Sequence, residues 1–146
     1  MVDVSAKPET HREAVARGTV RMKPETALAV ERGVVAKGDV LGTAKTAGIM
    51  AAKRTGDLIP MCHPLQLTSV DIFFSGNASA GEISIEARVK TVGRTGVEIE
   101  AMTAVSVAAL TIYDMCKSAD RGIVISDIRL VKKSGGKSGT FQREPE

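Results

Sequence analysis

An antiparallel α+β fold, with helices packed on one face of a sheet, is predicted by three observations. Residues 82–92 alternate: Ile83, Ile85, Ala87 and Val89 point one way, and Glu82, Ser84, Glu86, Arg88 and Lys90 the other. That is a strand with one wet face, as in antiparallel sheets. Residues 96–117 form a long apolar stretch of small side chains, too long for a strand and suited to a helix packed on most sides. The chain order reads β-α-α-β-β-α-β. One extra helix aside, this is the ferredoxin-like pattern.

Each element has a local cause. Residues 1–12 are polar, interrupted by Pro8, and read as an irregular arm. Residues 14–22 alternate, with Ala14, Ala16, Gly18, Val20 and Met22 on one side, and read as a strand. Pro24 opens a short helix and Gly33 closes it. Asp39 is suited to cap a second helix running to about Arg54, closed by Gly56. Pro60 and Pro64 bracket Met61-Cys62-His63 in a segment that regular helix cannot hold. Residues 65–74 and 82–92 read as paired strands joined by a Gly, Asn and Ser-rich link. Residues 123–131 are the last strand, and residues 132–146 a flexible basic tail rich in Gly and Lys. No repeat and no linker divides the 146 residues, so the chain reads as a single domain.

Composition narrows the class. Only Phe73, Phe74, Tyr113 and Phe141 are aromatic, so the core is built from Ala, Val, Ile, Leu and Met. Such a core packs closely and buries little per residue, which favours association between subunits. The net charge is +3, but residues 129–137 hold four cations (Arg129, Lys132, Lys133, Lys137) and no acid. That asymmetry points to an anionic ligand rather than to bulk nucleic acid. Two cysteines and no signal or membrane-length segment fit a cytoplasmic protein with reduced thiols.

The long helix carries charge at both ends. Glu98 and Glu100 lie in its first turn, where the helix dipole favours acids. Glu100, Thr103, Val107, Leu110, Asp114 and Lys117 follow steps of three and four and share one stripe. The helical rise sets Glu100 and Asp114 about 21 Å apart. Either the ligand is elongated, or the two ends serve different pockets. The bland alternative is a dipole-favoured acid pair at one end and a surface Asp114–Lys117 ion pair at the other.

Other motifs are weaker. Residues 134–139, SGGKSG, lack the first glycine of a Walker A loop, since Val131 stands there. They remain either a set of backbone N–H groups with Lys133 and Lys137 able to wrap a phosphate, or a solvated tail. Cys62-His63 is not a zinc motif, because no second Cys/His pair stands at ligand spacing. His63 is suited to contact a substrate or donate a proton, or else is structural. Lys37, in a glycine-containing loop, joins Asp114, Lys117 and His63 as material for acid–base work on a polyphosphate, if the fold gathers them.

At this point the motifs add up. MVDVSAK (residues 1–7), KGDV (37–40), AGIMAAKRTGDLIPMCHPL (47–65), TGVEIEAMTAVSVAALTIYDMCK (95–117) and KSGGKSG (133–139) resemble the MoaC family of molybdenum cofactor biosynthesis. The resemblance covers nearly the whole chain. It implies a lyase that converts 3',8-cyclo-7,8-dihydro-GTP into cyclic pyranopterin monophosphate and releases pyrophosphate; no cofactor and no metal-ligating residues are expected in the chain, and the sequence does not decide whether Mg2+ assists the phosphate step. It further implies that Asp114 is the acid/base, with Lys37 and Lys117 beside it. Met61, Cys62, His63, Glu98, Ile99 and Glu100 would bind substrate, and Lys7, Arg12, Lys133 and Lys137 would hold phosphates. A homohexamer, a trimer of dimers with sites between subunits, is the implied assembly.

Two other classes compete. A ferredoxin-like nucleotide- or RNA-binding module without catalysis needs an exposed aromatic pair on its sheet. Phe73 and Phe74 are adjacent and so face opposite sides. A purely structural oligomer would use the apolar helix as a contact surface and bind no guanine nucleotide.

Overall fold

The structure, a computed structural model, describes residues 1–137 and 139–145. In chain order it forms strand β1 (Thr10–Arg21), helices α1 (Pro24–Arg32), α2 (Val40–Lys53) and α3 (Thr55–Leu58), and strand β2 (Leu67–Asn77). Strand β3 (Glu82–Gly93), helix α4 (Glu98–Cys116) and strands β4 (Val124–Ser134) and β5 (Phe141–Gln142) follow. The sheet order is β2-β3-β1-β4-β5, and every neighbouring pair is antiparallel. The first four strands therefore reproduce the ferredoxin-like order, with β3 inserted between β1 and β2.

Alternation decides the faces. Ala14, Ala16 and Val20 of β1, and Ile83, Ile85, Ala87 and Val89 of β3, are buried under the helices. On the opposite face Arg17 meets Glu86 at 2.8 Å, Arg21 meets Glu82 at 3.1 Å, and Arg88 lies over the exposed Phe73 ring. Such exposed pairs contribute little stability, but they keep this face polar.

The helix caps follow the sequence. Asp39 accepts from the Gly42 N–H at 3.1 Å, and Gly33 ends α1 in the left-handed region at φ 69°. The start of α1 is capped from far along the chain: the Lys23 N–H donates to the buried Asp120 carboxylate at 2.8 Å. That bond, before all others, lowers the pKa of Asp120.

Close approach holds the helical layer together. A Cβ placed on Gly48 of α2 would lie 2.9 Å from the Ala104 carbonyl oxygen and 3.4 Å from the Ala108 Cβ of α4. One on Gly18 of β1 would lie 2.7 Å from Val105 Cγ1. Helix α4 is long and apolar enough to cross a bilayer by length and composition, yet it is the core helix of this fold. Ala101, Ala104, Val105, Ala108 and Ile112 are all fully buried against the sheet and α2.

Three expectations need correction. The N-terminal arm was expected over residues 1–12, but β1 begins at Thr10, where Thr10, His11 and Arg12 pair with Gly93, Val92 and Thr91. The tail expected from residue 132 is partly ordered as sheet: β4 runs to Ser134, and β5 returns beside Lys132 and Lys133. Ser138 and Glu146 of that tail lie outside the described residues. Gly56 does not close α2 but sits within the short helix α3, packed 3.2 Å (as a virtual Cβ) from Pro64. In each case tertiary pairing overrides a polar or glycine-rich local signal.

Gly48→Val is expected to destabilise the protein by about 1–3 kcal/mol, because over-packing forces α2 from α4. Urea denaturation checks this. Unchanged stability would mean that the two helices separate without cost.

Candidate active site

The N-terminal end of α4 is assembled first by glycine. Gly96 leaves room for the Glu98 carboxylate, whose Oε1 a Cβ there would strike. Val97, the residue before α4, provides no side-chain cap, so the first-turn acids Glu98 and Glu100 stand where the dipole favours them. The segment after α3 turns back on itself, with the Cys62 N–H donating to the Ile59 carbonyl at 3.1 Å. Pro60 and Pro64 keep it out of regular structure. Between this segment and α4 lies a cavity of about 500 Å³. Met61, Cys62 and His63 form one wall, Glu98, Ile99 and Glu100 the other, and Lys7 stands at its border.

A second cavity of about 460 Å³ adjoins it and shares Lys7, Thr95, Gly96 and Glu98. Its walls carry four cations, Lys7, Arg12, Lys133 and Lys137, against the single carboxylate of Glu98. Arg12 is 7% exposed, and its Nε donates to the Gly93 carbonyl at 2.8 Å. Gly136, at φ 81°, lies so close over the guanidinium that a Cβ would meet its Nη1. The glycine pair of the SGGKSG motif is thus required by the close approach to Arg12 and by its positive φ angles. Lys133 Nζ stands 3.3 Å from Glu98 Oε1. A dense positive lining of this kind concentrates anions.

The other end of α4 holds a separate cluster. Lys117 Nζ lies 2.9 Å from Asp114 Oδ1. Lys37 Nζ lies 3.6 Å from Asp114 Oδ2 and donates to the Asp114 backbone carbonyl at 3.0 Å. All three side chains are about half exposed. The hydrogen bond from Lys117, then the charges of Lys117 and Lys37, hold the Asp114 carboxyl below the usual carboxylate range. The same pairing raises Lys117. At neutral pH the cluster is a carboxylate between two ammonium groups, able to accept a proton on one side and supply one on the other.

The fold therefore gathers the sequence-predicted residues into two groups. Lys7, Arg12, Met61, Cys62, His63, Glu98, Ile99, Glu100, Lys133 and Lys137 border the adjoining cavities. Lys37, Asp114 and Lys117 meet at the far end of the same helix. The stripe predicted along α4 is buried at Glu100 but exposed at Leu110, Asp114 and Lys117, so it leaves the core as it descends.

The MoaC family model matches residues 1–136. The chain belongs to the MoaC family. It is 64% identical to the cyclic pyranopterin monophosphate synthase of Heliobacterium modesticaldum, over 99% of this chain and 91% of that protein. It is 60% identical to that of Thermomicrobium roseum over 100% of this chain and 88% of the relative. For the synthase of Thermoanaerobacter sp. (strain X514) the values are 62%, 99% and 91%. The chain is an enzyme, with the cyclic pyranopterin monophosphate synthase function in molybdenum cofactor biosynthesis.

Within the first cavity two groups, Glu100 and Cys62, are shifted towards their neutral forms. Burial, before the nearby Glu98 charge, pushes the Glu100 carboxyl up. Burial, then the charges of Glu100 and Glu98, pushes the Cys62 thiol up. Cys62 is thus a protonated thiol at neutral pH rather than an activated nucleophile. Sequence reasoning missed Thr10, Thr95 and Leu65, which also border these cavities. Thr10 was hidden by its place in a segment that read as irregular, and Thr95 only by its bland type.

A raised carboxyl pKa has a defined sign. The charged form is disfavoured in the folded state, so folding is penalised at neutral pH, and the penalty fades as pH falls through the raised value. Glu100→Gln is therefore expected to stabilise the protein at neutral pH by about 0.5–2 kcal/mol, as relief of functional strain does. The gain should shrink towards zero as acid protonates Glu100 in the parent. Denaturation at several pH values checks this, and a destabilised variant at neutral pH would contradict it.

Proposed function

We propose that this enzyme converts 3',8-cyclo-7,8-dihydro-GTP into cyclic pyranopterin monophosphate and pyrophosphate, in a site built from two chains. One observation carries the shared site: α4 holds a nucleotide-sized pair of cavities at one end and a Lys–Asp–Lys cluster at the other. Glu100 and Asp114 are about 21 Å apart at the helical rise, too far for one compact substrate. Lys37 and Asp114 meet within one chain, at 3.0 Å to the Asp114 carbonyl, so they belong to the same half-site. His63 and Glu100 belong to the other.

In this reading the base and ribose occupy the cavity between Met61-Cys62-His63 and Ile99-Glu100, and the triphosphate occupies the neighbouring one. The two volumes lie within the usual range for small-molecule sites. Lys7, Arg12, Lys133 and Lys137 neutralise the phosphates and the departing pyrophosphate. Opening the imidazole-derived ring, building the pyrazine ring and closing the cyclic phosphate need proton transfers in both directions. Asp114 of a neighbouring chain accepts a proton, and Lys37 and Lys117 supply charge and a proton beside it. Covering the exposed Asp114 cluster with a second subunit would remove water and raise its carboxyl towards a useful basicity. The assembly proposed is a homohexamer, a trimer of dimers, working in the cytoplasm.

Asp114→Asn is expected to fold and assemble as the parent does while losing about 10²–10⁴-fold in turnover, the typical size of lost acid–base catalysis. Lys37→Ala and Lys117→Ala should also impair turnover with stability held within about 0.5 kcal/mol, as surface substitutions usually do. Turnover of the cyclic dihydro-GTP, measured beside thermal melting, checks both. An Asp114→Asn variant keeping most activity would reduce Asp114 to a salt-bridge residue.

A further inference from the structure

Among the described residues, two buried side-chain oxygens lack a hydrogen-bond partner: Thr10 Oγ1 and Glu98 Oε1. Both residues border the same cation-lined cavity. Glu98 Oε1 at least has the Lys133 ammonium at 3.3 Å. Thr10 has no such neighbour. An unsatisfied buried hydroxyl costs about 1–3 kcal/mol, and native proteins rarely leave one without a reason. The position is at the start of a strand, where Val is the isosteric and equally favoured residue. Thr10 also lies beside the edge of the chain that Arg12 anchors: its partner in the ladder is Gly93, whose carbonyl accepts from Arg12 Nε. The hydroxyl is therefore carried on a strand that the cavity's most buried cation fixes in place.

We propose that Thr10 is a substrate-binding residue, whose hydroxyl donates to an anionic phosphate oxygen in the cavity between Lys7, Arg12, Lys133 and Lys137. The inference rests on the reading of this cavity as the phosphate site. Thr10 Oγ1 is buried, so donation to a phosphate in the cavity requires the side chain to turn about its first dihedral between staggered wells. The lysines supply charge without strict direction, whereas a hydroxyl on a rigid strand supplies direction. Thr10 thus orients the phosphate chain that the cations attract.

The proposal joins two effects that a structural role would not. Thr10→Val removes an unsatisfied group, so thermal stability holds or rises. It also removes one hydrogen bond to a charged acceptor, so affinity for inorganic tripolyphosphate falls about tenfold. Thr10→Ser restores affinity to near that of the parent. Calorimetric titration of the full-length protein with tripolyphosphate, with Lys133→Ala as a companion, separates the outcomes. If Lys133→Ala weakens binding and Thr10→Val does not, the role of Thr10 is overturned while the phosphate cavity stands. If Lys133→Ala also leaves binding intact, the phosphate reading itself falls, and the inference with it. A Thr10→Val protein that is clearly less stable would show that its hydroxyl serves the fold.

Discussion

Everything in this molecule depends on the close packing of α4 against the sheet and α2. Its inward face is Ala101, Ala104, Val105, Ala108, Ala109 and Ile112, all at or near complete burial. Opposite them stand Gly48 and Gly18, where even a single Cβ would collide. Small residues on both sides bring backbones together and make the helix a fixed rod rather than an adjustable one. A rod of this length sets its two ends at a fixed distance. Whatever chemistry the ends carry is held about 21 Å apart, from Glu100 to Asp114, within one chain.

From that constraint the site follows. The N-terminal end meets the segment after α3 and the joined ends of β1 and β4, which bring a proline-bounded turn and four cations around the first-turn acids. The C-terminal end meets the loop after α1, whose Lys37 reaches back to the Asp114 carbonyl. Asp120 ties the start of α1 to the segment just beyond α4. The first-turn acids border the two cavities, whereas Lys37, Asp114 and Lys117 lie about half exposed at the opposite end of the helix. The aromatic-poor core buries little surface per residue, which favours association between copies of the chain.

Much of this was legible in the sequence, for reasons that can be stated. The alternation in β3, the proline at the start of α1 and the Asp39 cap are local signals, and local physics decided them. Two of the four cations of the second cavity, Lys133 and Lys137, were legible because like charges without acids stand out in residues 129–137. What stayed hidden depended on distant pairing. Thr10 to Arg12 read as an arm because their partners, Gly93 to Thr91, lie some eighty residues away. The ordered part of the tail was hidden likewise, since β5 exists only by pairing with Lys132 and Lys133. The meeting of Lys37 with Asp114 was expected from the family resemblance rather than from spacing, and the orphaned hydroxyl of Thr10 has no sequence signature at all.

The central claim is that the two ends of α4 serve one reaction from different chains. The most direct measurement mixes inactive His63→Ala and Asp114→Asn proteins, unfolds them together, refolds them and assays turnover of the cyclic dihydro-GTP. If the two residues reach each site from different chains, random mixing restores about a quarter of the sites to the parent composition. Recovery of activity on that order, absent from either variant refolded alone, is the predicted result. No recovery from the mixture, together with an active parent monomer at nanomolar concentration, would contradict the account.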